Sequence, residues 1–202
     1  CVSLSDLIGL PRTLVHGERL AQTGQCVLVA NHLSQLDIIV LGSFLTQDYR
    51  WLAKDGVFKV PFLGWHLKLS GHVPVYRGKA KERNRDIGER VHDVVQEGAS
   101  LLFFPEGSRS RDGRLKPFRV GAFMTAVQEG LPVVPLVIRG THEMMEKGSA
   151  SLSVRADRAC SVTVLEPLTA PEGADPKARA AALMAATHAA FAAELGPELV
   201  RP

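Results

Sequence analysis

Cysteine is scarce in this chain of 202 residues: the three present, Cys1, Cys26 and Cys160, are odd in number, far apart and without a C-x-x-C pair. That excludes a disulfide framework and a zinc cluster of the usual spacing, and it suits a reducing compartment. Long hydrophobic runs are missing as well. The most apolar stretches, Ile38 to Leu45 and Leu131 to Ile138, fall well short of the roughly 20 residues that carry a helix across a bilayer. No signal peptide opens the chain. It begins with Cys1 rather than Met, which leaves the place of a membrane anchor upstream.

An excess of one charge is lacking too. The 24 Lys and Arg against 21 Asp and Glu leave only +3, too little for a nucleic-acid protein built on bulk charge, although local basic patches stay open. None of the seven histidines falls in H-E-x-x-H or a comparable ligand spacing, so no metal is expected. No repeat, low-complexity tract or linker divides the chain. What remains is ordinary globular composition, 46% hydrophobic and 22% charged, at the size of one α/β domain.

Hydrophobic patterning places the elements. Thr13 to Leu20 alternates like a strand, and Cys26 to Ala30 reads as a buried one. A helix follows over Ser34 to Leu45 with Ser34 at its cap, then a short strand at Arg50 to Ala53. Val57 to Leu69 reads as a bulky amphipathic helix around Pro61 and Gly64, and His72 to Tyr76 as a strand. Lys79 to Gln96 looks like a polar surface helix, and Leu101 to Phe104 like a buried strand ending in a Pro-Glu-Gly turn. A helical stretch near Arg119 to Gln128, strands at Val133 to Ile138 and Ser161 to Leu165, and an Ala-rich helix over Pro176 to Leu195 complete the chain. Strands separated by helices imply a single layered α/β domain over residues 1–202, with a mostly parallel central sheet flanked by helices. In such sheets ligands gather where strands end, and there the unusual polar residues fall.

Four segments carry candidate chemistry. Asn31-His32-Leu33-Ser34-Gln35-Leu36-Asp37 follows an apolar strand. His32 on the turn could act as a general base with Asp37 on its other ring nitrogen; alternatively Ser34 and Asp37 form a capping box and no more. Phe103 to Arg111 opens a strand into a turn holding Glu106, Gly107, Ser108, Arg109 and Arg111, suited to cradle a phosphate or simply a solvated polar loop. Gly71 to Gly78 ends a strand at Arg77, which could reach a phosphate; Lys79, Lys81, Arg83 and Arg85 beyond it read as a solvated face. Leu131 to Ile138 holds Pro132 and Pro135 in an apolar strand, where core packing is the simpler reading.

In this order the four segments resemble the glycerolipid acyltransferase family typified by bacterial 1-acyl-glycerol-3-phosphate acyltransferases. That family carries N-H-x-x-x-x-D, G-x-x-x-x-x-R, F-P-E-G-T/S-R-S and a proline-containing apolar strand. Here they are Asn31-His32 to Asp37, Gly71 to Arg77, Phe104 to Ser110, and Val133-Val134-Pro135-Leu136, within a motif-bearing core of about residues 27–138. The resemblance implies His32 as base and Asp37 as its partner. It places Arg77, Glu106, Gly107, Ser108 and Arg109 around a phosphate-bearing acceptor, and gives Pro135 a structural or acyl-pocket role. Ser108 stands where many members have Thr, and the hydroxyl survives. Family members often begin with a helix pair that contacts the membrane, which the segment before Thr13 is too short to supply.

The activity so implied is transfer of a fatty acyl group from acyl-CoA or acyl carrier protein to 1-acyl-glycerol-3-phosphate, giving phosphatidic acid, with no cofactor beyond the thioester co-substrate. Another lyso-lipid or glycerol-3-phosphate as acceptor is the close rival, and a noncatalytic lipid-binding module the distant one. No G-x-S-x-G elbow is present, so direct attack is expected without an acyl-enzyme. The acceptor implies a membrane surface as partner, met at the cytoplasmic face by a peripheral protein or through a segment outside this chain. Phe58, Phe62, Leu63, Trp65 and Leu67 among Lys54, Lys59 and Lys68 suit either an interfacial helix or a core helix with snorkelling lysines.

Overall fold

The computed structural model describes residues 9–76, 78–110, 112–144 and 157–201. Its seven strands are β1 (Arg12–Val15), β2 (Val27–Ala30), β3 (Tyr49–Lys54), β4 (Val73–Val75), β5 (Ser100–Phe103), β6 (Val133–Arg139) and β7 (Cys160–Val164). They form one sheet in the order β1-β7-β6-β2-β5-β3-β4. Every neighbouring pair is parallel except β6 with β7. The α-helices are α1 (Glu18–Thr23), α2 (Leu36–Phe44), α3 (Leu63–Leu69), α4 (Ile87–Gln96), α5 (Gly121–Glu129) and α6 (Pro176–Leu195). The expected α/β architecture with a mostly parallel sheet is the one found.

The two-residue period of the central strands builds both layers. On β2, Leu28 and Ala30 pack into a cluster with Leu36, Val40 and Leu41 of α2. Val27 and Val29 face the other way, toward Phe123 of α5 and Leu183 and Phe191 of α6. Covered on both faces, β2 is buried throughout, which is why the sequence there is an unbroken apolar run.

Three expectations change at local breakers. The first strand stops at Val15 rather than Leu20, because His16 turns to φ 58° and α1 begins at Glu18. The helix expected over Val57 to Leu69 splits into a 3-10 turn, Asp55–Lys59, and α3. Pro61 lacks an N–H and disfavours helix in the residue before it, and Phe62 then takes φ 61°. The long polar helix splits likewise into a 3-10 segment, Gly78–Asn84, and α4. Asn84 folds back there, its Nδ2 donating to the Tyr76 carbonyl at 2.7 Å and its Oδ1 accepting from the Tyr76 N–H at 2.9 Å.

Pro135 sits inside the sheet, buried on β6. Its carbonyl accepts from the Leu165 N–H at 3.0 Å, just where the regular β6–β7 pairing, Leu136 to Arg139, ends. The ring therefore removes a donor only at the last position of that ladder, which is how a central strand tolerates it.

Candidate active site

Three adjacent strands, β6, β2 and β5, end side by side, and the polar residues cluster above their carboxyl ends. The chain leaves β2 on one side for β3 and leaves β5 on the other for β6, so this is the crevice where the winding reverses. Asn31 makes the exit from β2. Its Nδ2 donates to the Ile138 carbonyl at 2.9 Å and its Oδ1 accepts from the Ile138 N–H at 2.7 Å. A side-chain amide thus replaces one more backbone rung between β2 and β6, and the next residue is free to turn.

That next residue is His32, and it is held at every polar backbone atom. Its N–H donates to Glu106 Oε1 at 2.7 Å, and its carbonyl accepts from the Ser110 N–H at 2.7 Å. The ring stacks on Phe104 with centroids 4.2 Å apart. Nδ1 lies 2.7 Å from Asp37 Oδ2. A carboxylate only accepts, so Nδ1 carries the hydrogen and Nε2 presents a lone pair. Among the described residues Nε2 has no hydrogen-bond partner, and the side chain keeps 18% exposure.

Asp37 is fully buried in the first turn of α2, which starts at Leu36 with Gln35, not Ser34, at its cap. Oδ2 also accepts the N–H groups of Leu33 at 2.7 Å and Ser34 at 3.0 Å. Half of a capping box is therefore present, while Ser34 Oγ accepts from Leu36 N at 3.3 Å instead. One carboxylate starts the helix and orients the imidazole together. Sequence reading missed its other partner: Thr141, fully buried two residues past β6, donates its hydroxyl to Asp37 Oδ1 at 2.6 Å. Thr141→Val leaves that oxygen buried without a donor and is expected to lower the unfolding free energy by about 1–3 kcal/mol. Thr141→Ser should restore most of it in urea melts.

Glu106 points inward rather than toward solvent. Only 3% exposed, it accepts the His32 N–H on Oε1 and the Lys116 N–H on Oε2 at 3.2 Å. Burial pushes its carboxyl up to about 7, with the nearby Asp37 charge adding, against the two backbone hydrogen bonds and the Lys116 charge. From the ordinary 4.5 to about 7, the folded state keeps a proton that the unfolded chain has released. Its contribution to stability therefore falls as pH rises through that window. Glu106→Gln removes the slope. Between pH 4 and pH 8 urea melts should show the wild type losing roughly 3 kcal/mol relative to the variant.

Outside this braced centre lies a cationic rim. Gly107 takes φ 71°, and a Cβ there would come within 2.8 Å of the Arg119 guanidinium, so glycine lets Arg119 lie across the turn. Lys116 Nζ donates to the Ser108 carbonyl at 3.0 Å and to its hydroxyl. Ser108, Arg109 and Arg119 are exposed, and neither Arg109 nor Arg119 has an acidic partner among the described residues. Lys116 and Arg119 lie past the motif that drew attention, and only the fold returns them to it. Arg77 and Arg111 fall outside the described residues.

A cavity of about 230 Å³ opens alongside, lined by Ile38, Trp51, Leu63, His66, Leu67 and His72 among others. Neither His32, Asp37 nor Pro135 lines it. Trp51 meets the edge of Phe104 at 6.4 Å, and Phe104 is the ring stacked on His32. His72 Nδ1 accepts from the Trp51 N–H at 2.9 Å. Burial, then the neighbouring His66 and Arg50, push His72 down to about 4, which keeps it neutral near pH 7.

A family model described as Acyltransferase matches residues 12–139, well over half of the chain. A chloroplastic 1-acyl-sn-glycerol-3-phosphate acyltransferase of Brassica napus is 44% identical over 132 residues, 65% of this chain and 38% of its own length. The protein of that activity name in Chlamydomonas reinhardtii is 36% identical over 86% of this chain and 49% of its own, and that of Saccharomyces cerevisiae 36% over 69% and 46%. The chain thus spans half or less of the length of these relatives. The crystal structure of the 1-acyl-sn-glycerophosphate (LPA) acyltransferase PlsC from Thermotoga maritima shares the fold. Its TM-score is 0.66 at 23% identity, covering 93% of this chain and 75% of that one.

Proposed function

This chain belongs to the acyltransferase family, and from that premise we propose that it moves a fatty acyl group from an acyl thioester to the free hydroxyl of 1-acyl-glycerol-3-phosphate, giving phosphatidic acid. The observation that carries the mechanism is the 2.7 Å bond between His32 Nδ1 and a buried Asp37, with Nε2 left open. Nε2 takes the acceptor's hydroxyl proton as the oxygen attacks the thioester carbonyl carbon. The tetrahedral intermediate expels the thiolate, which leaves as the thiol with the proton returned by the imidazolium, and the ester remains. Asp37 stabilises that imidazolium and fixes the ring. Thr141 and Glu106 act as positioning residues, one through Asp37 and the other through the His32 backbone.

The exposed Arg109 and Arg119 and the half-buried Lys116 supply the positive charge an acceptor phosphate requires. Ser108 and the Gly107 turn shape that rim. Acyl-CoA or acyl carrier protein serves as donor, and no cofactor takes part. Among the described residues no helix is long and apolar enough to cross a membrane. The acceptor is a bilayer lipid, so the protein works at a membrane surface, on the cytoplasmic face where the thioester is made.

The test is to incubate the purified chain with either donor and a panel of acceptors: lysophosphatidate, glycerol-3-phosphate, lyso-aminolipids and neutral monoacylglycerol. Ester should form on lysophosphatidate. Arg109→Ala or Lys116→Ala should each raise the KM for that acceptor on the order of tenfold, the effect of losing one charge-assisted hydrogen bond, with kcat little changed. Equal turnover of the neutral acceptor would overturn the phosphate assignment, and no turnover of any would overturn the activity.

A further inference from the structure

We propose that Phe62, Trp65 and Leu69 form a docking surface for an anionic lipid bilayer, which seats α3 on the membrane with the cavity opening beside the leaflet. The proposal rests on the reading of the acceptor as a membrane lipid, and it names the surface by which that lipid is met.

These three side chains are 78%, 62% and 89% exposed. Their spacing puts them on one stripe of the α3 region, with the Phe62 and Trp65 rings edge to face at 5.5 Å. Leu67 is buried on the opposite side, and Leu63, still 41% exposed, lines the cavity with it. The helix is therefore apolar on two sides, and only the inner one has a partner within the fold. Large apolar groups presented together to water mark an interaction site.

Two backbone features hold the stripe outward. Phe62 adopts φ 61° without being glycine, a conformation unfavourable for a bulky residue and retained where the surroundings impose it. Gly64 lies so close to the preceding turn that a Cβ would sit 2.1 Å from the Phe58 carbonyl oxygen. The surface is thus built rigidly rather than left over from a fraying loop.

Charge selects the occupant. From residue 54 to 69 the chain carries Lys54, Lys59 and Lys68 and a single acid, Asp55, which pairs with Lys59 at 3.7 Å. Lys54 and Lys68 have no acidic partner among the described residues. Indole and phenyl rings within a basic collar match the interfacial layer of an anionic leaflet. A second copy of the same face would instead set lysine against lysine.

The test uses the chain in a Trp51→Phe background, where Trp65 is the sole indole, with vesicles of phosphatidylglycerol and phosphatidylcholine. Trp65 emission should shift to the blue and be quenched by acyl chains brominated near the headgroup. Phe62→Ser with Leu69→Ser should weaken partitioning on the order of a hundredfold, the effect of withdrawing two large side chains. Lys54→Gln with Lys68→Gln should weaken it only on anionic vesicles and mainly at low salt. Phe62→Gly guards against a folding artefact, because it relieves the backbone while removing the ring: melting temperature should hold or rise as binding falls. Acyl transfer to a short-chain, water-soluble lysophosphatidate should survive Phe62→Ser with Leu69→Ser, while transfer on vesicles falls. If Trp65 ignores vesicles, or emits in the blue before lipid is added because protein covers it, the docking surface is wrong and the soluble-acceptor activity stands by itself. If vesicles bind through the stripe but neither acceptor is acylated, the activity is wrong and the surface remains.

Discussion

His32→Ala is expected to lower kcat for acyl transfer by ~10²–10⁴-fold, the usual worth of a general base. The acceptor KM should stay near its wild-type value, because the cationic rim at Arg109, Lys116 and Arg119 is untouched. The fold should survive, since the His32 backbone N–H and carbonyl make the bonds to Glu106 and Ser110, and alanine retains both. The ring does pack on Phe104, so a modest loss of stability, about 1 kcal/mol, accompanies the change. Near-normal turnover by a folded His32→Ala variant would remove the base assignment altogether.

Asp37→Asn should damage the reaction and the fold together. The carboxylate receives four contacts, from His32, Leu33, Ser34 and Thr141, all from groups that donate. An amide offers one accepting oxygen and one donating nitrogen. If the oxygen serves the Oδ2 side, the nitrogen donates to the Thr141 hydroxyl, which then loses the acceptor for its own hydrogen; if it flips, the nitrogen faces two backbone N–H groups and the imidazole. Loss of about 1–3 kcal/mol of stability is expected, as for a buried hydrogen-bond network left with one member unmatched. Activity should fall by roughly 10³-fold or more through loss of the correct tautomer. Circular dichroism melts and single-turnover assays on the remaining folded fraction separate the two effects. A variant that melts like wild type would mean the carboxylate is not the hub of this network.

Much of the centre was legible because its residues lie on one short stretch. Asn31, His32 and Asp37 follow an apolar strand, and the need to set a histidine on the turn before a helix could be argued from spacing alone. The capping box and the His-Asp pair looked like alternatives in sequence; in space Asp37 does both, because Oδ2 faces the turn from inside it. Thr141 was invisible: it lies 104 positions from Asp37, and nothing in an apolar strand followed by Gly-Thr announces a donor. The family resemblance implied a place for Glu106 around the acceptor, and the polar turn gave no sign of how deeply it is buried. Its 3% exposure comes from the His32 and Lys116 backbones closing over it, a tertiary event. Helix limits failed where one residue overrode periodicity, at Pro61 and Asn84, since a missing N–H or a folded-back amide ends a helix whatever its hydrophobic pattern.

The Asn31 amide, bonded twice to Ile138, ties chemistry to cooperativity. The imidazole's height above the sheet is fixed by a bond pair that belongs to the β2–β6 ladder, so β2 cannot fray at its end without displacing the ring. Heating or denaturant should therefore extinguish turnover and sheet structure along the same curve, with no inactive but still folded intermediate between them.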